Sequence, residues 1–260
     1  MHPTLPLQIA FACLATLTLL PATAQDAIVP DRPNFVDSTD VVGRGQWQVE
    51  TSVQAERDKA DGVRTRTYTM PTLLRYGVGD VLELRVETDG RTVEHTRGAD
   101  SLAGYADAAV GMRWHVQDAA QGRPSVGLVL QADLPTGSLA WRGQRVRPSL
   151  RLTGEWDLPA DMSLGVTTGA GQERNDADKR YGYGLAGLVL GKAITPAWGV
   201  FVELAAPQIA RAADGGTVAT FDAGATWLVS NRCQLDTMLA LGLNRRSPDA
   251  ALTVGLSFKL

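Results

Sequence analysis

The chain has 260 residues, 44% of them hydrophobic, with 25 Lys+Arg against 28 Asp+Glu and a formal net charge of −3. That balance excludes a nucleic-acid binder held by bulk charge, because nothing here would displace counterions along a phosphate backbone. A charged fraction of 20% excludes global disorder, and beyond residue 24 no apolar run approaches the roughly 18 residues of a membrane helix.

Residues 1–24 read as a cleavable signal peptide. From Leu5 to Leu20 the chain is almost entirely apolar, Pro21 follows, and Ala22-Thr23-Ala24 forms a small-x-small cleavage site before Gln25. The usual basic residues before the apolar run are missing. Cys13 would leave with the signal, so Cys233 stands alone and neither an intrachain disulfide nor a thiolate zinc site can form. The next segment, 25–44, is not strand-like: it holds Pro30, Pro33, Asp31, Arg32, Asp37 and Asp40. It is expected on the periplasmic side, either as a flexible tail or as a plug folded into a barrel, with Arg32 pairing to lumenal carboxylates and Asp31 beside it.

From residue 45 onward one rhythm repeats. Apolar and polar side chains alternate with period two, as in strands whose faces meet different surroundings. Trp47, Val49 and Val53 oppose Gln48, Glu50 and Gln54; Leu82, Leu84 and Val86 oppose Glu83, Arg85 and Glu87; Leu252, Val254, Leu256 and Phe258 oppose Thr253, Ser257 and Lys259. Twelve such segments are expected, near 45–56, 66–76, 81–89, 104–116, 125–135, 147–158, 162–171, 181–193, 198–206, 217–229, 233–244 and 250–260. The segment 181–193 fits least well, because Gly, Leu and Val dominate both of its faces. Short turns at 77–80, 159–161, 195–197 and 230–232, with a longer one from Gln117 to Pro124, alternate with polar loops at 57–65, 90–103, 136–146, 172–180, 207–216 and 245–249. Short turns on one rim and longer loops on the other, with an even strand number, are the pattern of an outer-membrane barrel. The expected fold class is therefore all-β: a transmembrane antiparallel β-barrel of about 12 strands over 45–260. A soluble β-sandwich has the same alternation with its faces reversed in meaning. Charges of both signs at mid-strand weigh against it, as do aromatics near strand ends (Trp47, Tyr76, Trp114, Trp156, Trp198, Trp227) and the apolar-alternating last strand Leu256 to Leu260.

A family resemblance rests on particular residues. Asp31-Arg32-Pro33, followed by Val41 to Glu50, resembles the start of the "MetA-pathway of phenol degradation" family of outer-membrane transporters. Arg75-Tyr76-Gly77 leading to Leu82-Glu83-Leu84-Arg85, Leu134 to Ser138, Phe201-Val202-Glu203 and Asp222 to Asn244 are similar to it as well. The resemblance spans nearly the whole mature chain. It implies a secreted barrel associated with uptake of aromatic or other hydrophobic compounds, and it carries no catalytic or binding residues across.

Candidate chemistry is sparse. Gly182-Tyr183-Gly184-Leu185-Ala186-Gly187 matches GxGxxG, yet a dinucleotide site needs a strand before it and a helix after it. Here a charged loop precedes it and Pro196 follows soon after. Only His95 and His115 survive processing, and no G-x-S-x-G elbow accompanies them; His95 is expected in a polar loop, His115 on a lumenal face. Asp176 and Asp178 lack the ligand set of a calcium loop. No catalytic residue, metal or cofactor is assigned. The residues singled out are the inward charges Glu50, Arg75, Glu83, Arg85, Glu87, Asp107, Arg113, Asp133, Arg151, Glu155, Glu203, Asp222 and Asp236. They either line a water-filled path that selects solutes or pair across strands and lock a narrow barrel. The expected role is passive passage of small, aromatic or hydrophobic compounds across the bacterial outer membrane. A closed structural or adhesive barrel acting through its loops, and a barrel-embedded lipid esterase, remain as alternatives. Expected partners are outer-membrane lipid and lipopolysaccharide, a small-molecule solute, and the barrel-assembly machinery through the C-terminal strand; nucleic acid is not among them.

Overall fold

The computed structural model describes residues 27–175 and 177–260; the signal peptide expected over 1–24 and Asp176 lie outside the described residues. Fifteen strand segments follow one another: β1 (Trp47–Ala60), β2 (Val63–Thr69), β3 (Thr72–Gly77), β4 (Leu82–Thr88), β5 (Arg91–Thr96), β6 (Leu102–Tyr105), β7 (Ala108–Gln117), β8 (Ser125–Leu134), β9 (Arg147–Leu158), β10 (Met162–Arg174), β11 (Arg180–Ala193), β12 (Trp198–Ile209), β13 (Val218–Ser230), β14 (Cys233–Gly242) and β15 (Ala250–Lys259). Two-residue breaks at 70–71, 89–90 and 106–107 separate β2 from β3, β4 from β5 and β6 from β7. Each of those pairs continues one line, so the fifteen segments make twelve staves. Every pairing is antiparallel, and β15 returns to β1 in register from Gln48↔Lys259 to Arg57↔Ala250. The sheet is thereby closed, which leaves no edge carrying unpaired backbone groups in lipid.

The alternation resolves into two faces. Val53, Leu84, Val86, Val110, Met112, Leu130, Leu150, Leu152, Val202, Leu204, Leu239, Leu252 and Val254 are exposed on the outside. In water such a surface would be a large apolar patch; around a barrel it is the lipid-facing belt. The six aromatics sit toward the short-turn rim, where Trp47 lies 4.5 Å from Tyr76 and Trp198 stacks on Trp227 at 5.3 Å between centroids. Ile28, near the start of the described residues, and Leu260 share this rim: the Ile28 N–H donates to the Asn231 carbonyl, and the Leu260 N–H to the Trp47 carbonyl. By the outer-membrane rule it is the periplasmic rim.

Two boundaries differ from the sequence reading. The polar stretches at 57–65 and 90–103 contain strand, because β1 runs on to Ala60, β2 begins at Val63 and β5 spans Arg91–Thr96. These hairpins continue the barrel wall past the apolar belt, where neither face need be apolar and the alternation fades while the backbone ladder persists. His95 accordingly lies on β5 rather than in a loop. The poor alternation of 181–193 also has a cause. The inner face of β11 is apolar at Leu185, Gly187 and Val189, and part of the N-terminal segment packs on it: a Cβ at Gly187 would stand 2.7 Å from Phe35 and 2.9 Å from Val36. Glycine is needed there for that close approach.

Candidate functional site: a charged lumen and the segment held within it

Residues 28–44 enter from the periplasmic rim, cross the lumen and return to the same rim at Arg44, which bridges Gly77 and pairs with Asp80 at 3.3 Å. The segment makes no regular ladder with the wall, so its backbone N–H groups need other acceptors. Four wall carboxylates supply them. Glu50 accepts from Asp31 and Arg32 at 2.9 and 3.0 Å, and Glu203 accepts from Phe35 and Val36 at 2.9 and 2.8 Å. Glu155 accepts from the Thr39 N–H at 2.7 Å and from its hydroxyl at 2.5 Å, and Glu83 accepts from Val42 at 2.9 Å. The His115 ring meets the Thr39 carbonyl at 3.0 Å and Asp118 at 2.9 Å.

Four wall arginines hold the segment's negative groups. Arg85 and Arg113 reach Asp31 at 2.7 and 2.8 Å, with Arg75 at 3.8 Å. Arg151 reaches Asp37 at 3.0 Å, with Arg113 and Arg85 at 3.4 and 3.5 Å. Arg75 also donates to the Val29 and Asp40 carbonyls, and Arg113 to that of Asp40. On the wall itself Arg75 pairs with Glu50 and Glu83, each at 2.9 Å. Four guanidiniums thus face four carboxylates, Asp31, Asp37, Glu50 and Glu83, two of which come from the segment. Burial alone would push the Asp31 carboxyl up, but Arg113, Arg75 and Arg85 outweigh it and hold the group well below 3.8. Charge-assisted hydrogen bonds of this kind contribute about 1.5–3 kcal/mol each.

Asp31 and Arg32 meet the wall in different ways. Asp31 is the group held in close ion pairs, whereas Arg32 donates its backbone N–H to Glu50 and acts on the lumenal carboxylates Asp236 and Asp89 through space, its buried Nε having no hydrogen-bond partner. The arginine-rich wall of β3, β4 and β7 lies on the Asp31 side.

The remaining singled-out charges lie elsewhere around the lumen. Glu203 and Asp222 stand directly opposite each other on β12 and β13. Asp236 is buried with neither carboxylate oxygen hydrogen-bonded. Glu87 and Asp133 sit higher, at 3.9 Å from Arg151 and 3.7 Å from Arg147. Asp107 occupies the break between β6 and β7. It accepts the Gly137 and Gly143 N–H groups at 2.8 Å each and Arg147 at 3.0 Å, which ties the 135–146 loop to the wall. Burial pushes its carboxyl up, but those three donors prevail and lower it.

Two cavities open on the extracellular side. One, of about 470 Å³, is polar and bordered by Glu87, Asp89, Asp133, Arg147, Arg151 and Trp141. The other, of about 370 Å³, lies between the segment, β1 and β12–β15; Phe35, Pro33, Pro207, Val218, Met238 and Pro248 make it mostly apolar, and Asn34, Gln54, Glu56 and Asp222 add polar groups. Sequence reasoning missed Asp37, Arg147, Trp141 and this apolar cavity. Asp37 and Arg147 were visible only as charges in presumed irregular chain or at a strand end, and the cavity is assembled from four distant stretches.

Among the described residues no cluster of three metal-ligating side chains occurs. The GxGxxG glycines lie inside the continuous strand β11, which is not the strand–turn–helix that a pyrophosphate requires. His95 faces outward with Nδ1 at 2.6 Å from the Ser101 hydroxyl, and among the described residues no carboxylate pairs with the ring. The pair therefore lacks the orienting third group of a hydrolytic triad.

A sequence model of the family described as "Putative MetA-pathway of phenol degradation" matches residues 30–260. Among solved structures the chain is similar to an outer-membrane channel from Pseudomonas putida F1, with a TM-score of 0.64 and 13% identity over 86% of this chain and 98% of that one. It is also similar to the translocator domain of the autotransporter NalP from Neisseria meningitidis, with a TM-score of 0.53 and 14% identity over 85% and 90%. The NanC porin follows, with a TM-score of 0.51 and 9% identity over 82% and 100%. At these identities the likeness is one of fold. No curated protein matches the sequence.

Proposed function

The chain belongs to the MetA-pathway of phenol degradation family, and from that premise we propose a passive channel for small aromatic or hydrophobic compounds, closed at its periplasmic end by residues 28–44. The protein is an outer-membrane β-barrel of twelve staves. One observation carries the reading: the lumen holds an apolar cavity of about 370 Å³ against the inner segment, bordered by Phe35, Met238 and three prolines. A single aromatic ring fits such a volume, and small-molecule sites of this kind are lined mostly by apolar groups with a few polar ones. The inward charges then divide by task. Arg75, Arg85, Arg113 and Arg151 with Glu50, Glu83, Glu155 and Glu203 seat the segment, while Glu87, Asp107, Asp133 and Arg147 border the polar approach. Asp222 lines the apolar cavity with Oδ1 free of a hydrogen-bond partner, which favours a solute that donates a hydrogen bond, such as a phenolic hydroxyl; Asp236 is buried on the neighbouring strand β14. No reaction is assigned to the barrel. Its lipid belt and its C-terminal strand, Leu256 to Leu260, are the surfaces for outer-membrane lipid and for the barrel-assembly machinery.

The test is solute flux into liposomes carrying the refolded mature chain, comparing small phenols with sugars of similar size. Faster entry of the phenols supports the reading. A properly folded, heat-modifiable barrel that passes neither turns the assignment toward a closed structural or adhesive barrel.

A further inference from the structure

The staves that outrun the membrane belt carry a sorted distribution of charge. Along β1 the outward positions continue from Val53 and Ala55 to Arg57 and Lys59, while Glu56 and Asp58 turn inward. On β2 the outward series runs back from Tyr68 through Arg66 to Arg64, with threonines inside. On β5, Arg91 and His95 face out while Thr92 and Glu94 face in, and Arg97 follows beside Arg64. Carboxylates thus look into the lumen, and cations look away from it at the level just above the apolar belt.

These cations differ from the arginines on the lumenal face of the wall. Among the described residues Arg57, Lys59, Arg64, Arg66, Arg91 and Arg97 make no ion pair, whereas Arg75, Arg85, Arg113, Arg147 and Arg151 all do. Two like-charge pairs are set directly across the ladder, Arg57↔Arg66 and Lys59↔Arg64, with His95 opposite Arg66 on the next strand. Like charges directly opposite on a sheet face destabilise it, so the arrangement is unfavourable until an anion lies between them. Aromatic groups border the patch on the membrane side: Tyr68 packs edge-on against His95 at 6.1 Å, and Arg91 stands 5.9 Å from the Tyr105 ring.

We propose that this outward face of β1, β2 and β5 is a docking site for a phosphorylated lipid of the outer leaflet, namely lipopolysaccharide, whose acyl chains lie along the apolar belt while its sugar phosphates sit between Arg57, Arg66, Lys59 and Arg64. Charge complementarity and continuity with the lipid-facing surface fix the occupant. The guanidinium fork matches a phosphate in a two-point contact, and a soluble anion would have no use for the adjoining apolar strip. Binding would also stiffen hairpins that otherwise stand free above the membrane.

The test titrates the refolded mature chain, in a nonionic detergent, with lipid A carrying both phosphates and with the same lipid A stripped of them. The native chain is expected to bind the phosphorylated form preferentially. Each cation near an anionic lipid surface contributes roughly fivefold, so Arg57→Gln, Lys59→Gln, Arg64→Gln and Arg66→Gln together should weaken binding on the order of a hundredfold or more and erase the preference. The double change Arg64→Gln with Arg66→Gln serves if the fourfold variant does not reach the heat-modifiable folded form, with an expected loss of about 25-fold. A control changing Arg142, Arg145, Arg245 and Arg246 in the loops to Gln should bind as the native chain does. The proposal is overturned by equal binding of both lipid forms, by unchanged binding in the hairpin variants, or by an equal loss in the loop control. Displacement by heparin at the same molar concentration as the lipid would reassign the face to a soluble polyanion.

Discussion

Asp31→Asn isolates the contact on which closure of the barrel is proposed to depend. The side chain keeps its size, but the charge that Arg85 and Arg113 reach at 2.7 and 2.8 Å is removed, and an amide N–H now faces guanidinium donors. Arg85 keeps Glu83 at 3.3 Å, and both arginines keep Asp37 at about 3.5 Å. The set of four cations and four carboxylates becomes four against three in a region with almost no exposure to water. Removing one partner from a buried charge pair costs about 3–5 kcal/mol, which corresponds to a shift of roughly 150- to 5,000-fold in the docked-to-released equilibrium of residues 28–44. Planar-bilayer recordings should show frequent openings absent from the native chain, and protease added on the periplasmic side should cut within the segment. The double variant Asp31→Asn with Arg85→Gln should regain part of the loss, because the stranded cation is gone as well; a measurable coupling between the two is the signature of direct contact. The sign of the pH dependence also follows. A carboxyl held well below 3.8 in the folded state contributes docking that is complete above its ordinary range and lost only as pH falls through the lowered value. The gap between native and Asp31→Asn chains should therefore be constant from about pH 7 to about pH 5 and close progressively below that. Identical openings and identical protease protection in the two chains would refute the reasoning.

Three further outcomes are expected. Gly187→Val places methyl groups where Phe35 and Val36 already sit within 3 Å of the Cβ position, so it should release the segment while leaving the barrel heat-modifiable; unchanged conductance would show that the close approach is unimportant. Asp107→Asn removes the charge that holds Gly137, Gly143 and Arg147, and proteolysis of the 135–146 loop should accelerate. Because that carboxyl is also lowered, the native loop should stay protected at neutral pH and lose protection only in acid below 3.8. Trp198→Ala breaks a parallel stack in the periplasmic aromatic girdle. It should lower barrel stability by about 0.5–1.5 kcal/mol beyond the lost area, read as the urea midpoint for unfolding from liposomes, with no effect on flux.

The chain's own pattern determined the barrel and the direction in which most side chains point. Period-two alternation within the membrane belt follows from each wall position meeting lipid or lumen, with no third environment. It gave twelve staves, and it put Glu50, Arg75, Glu83, Arg85 and Arg113 on one face. It lost definition at 57–65 and 90–103, where the wall leaves the membrane and the two environments become equally wet. It blurred again at 181–193, where Phe35 and Val36 make the lumen side apolar too. What Arg75, Arg85 and Arg113 hold is a matter of tertiary structure alone. Their partners Asp31 and Asp37 lie up to 82 residues away in an irregular segment, and that segment forms no ladder whose register a periodicity could reveal. The apolar cavity, likewise, exists only once Pro33, Phe35, Pro207, Met238 and Pro248 are brought together by closure of the sheet.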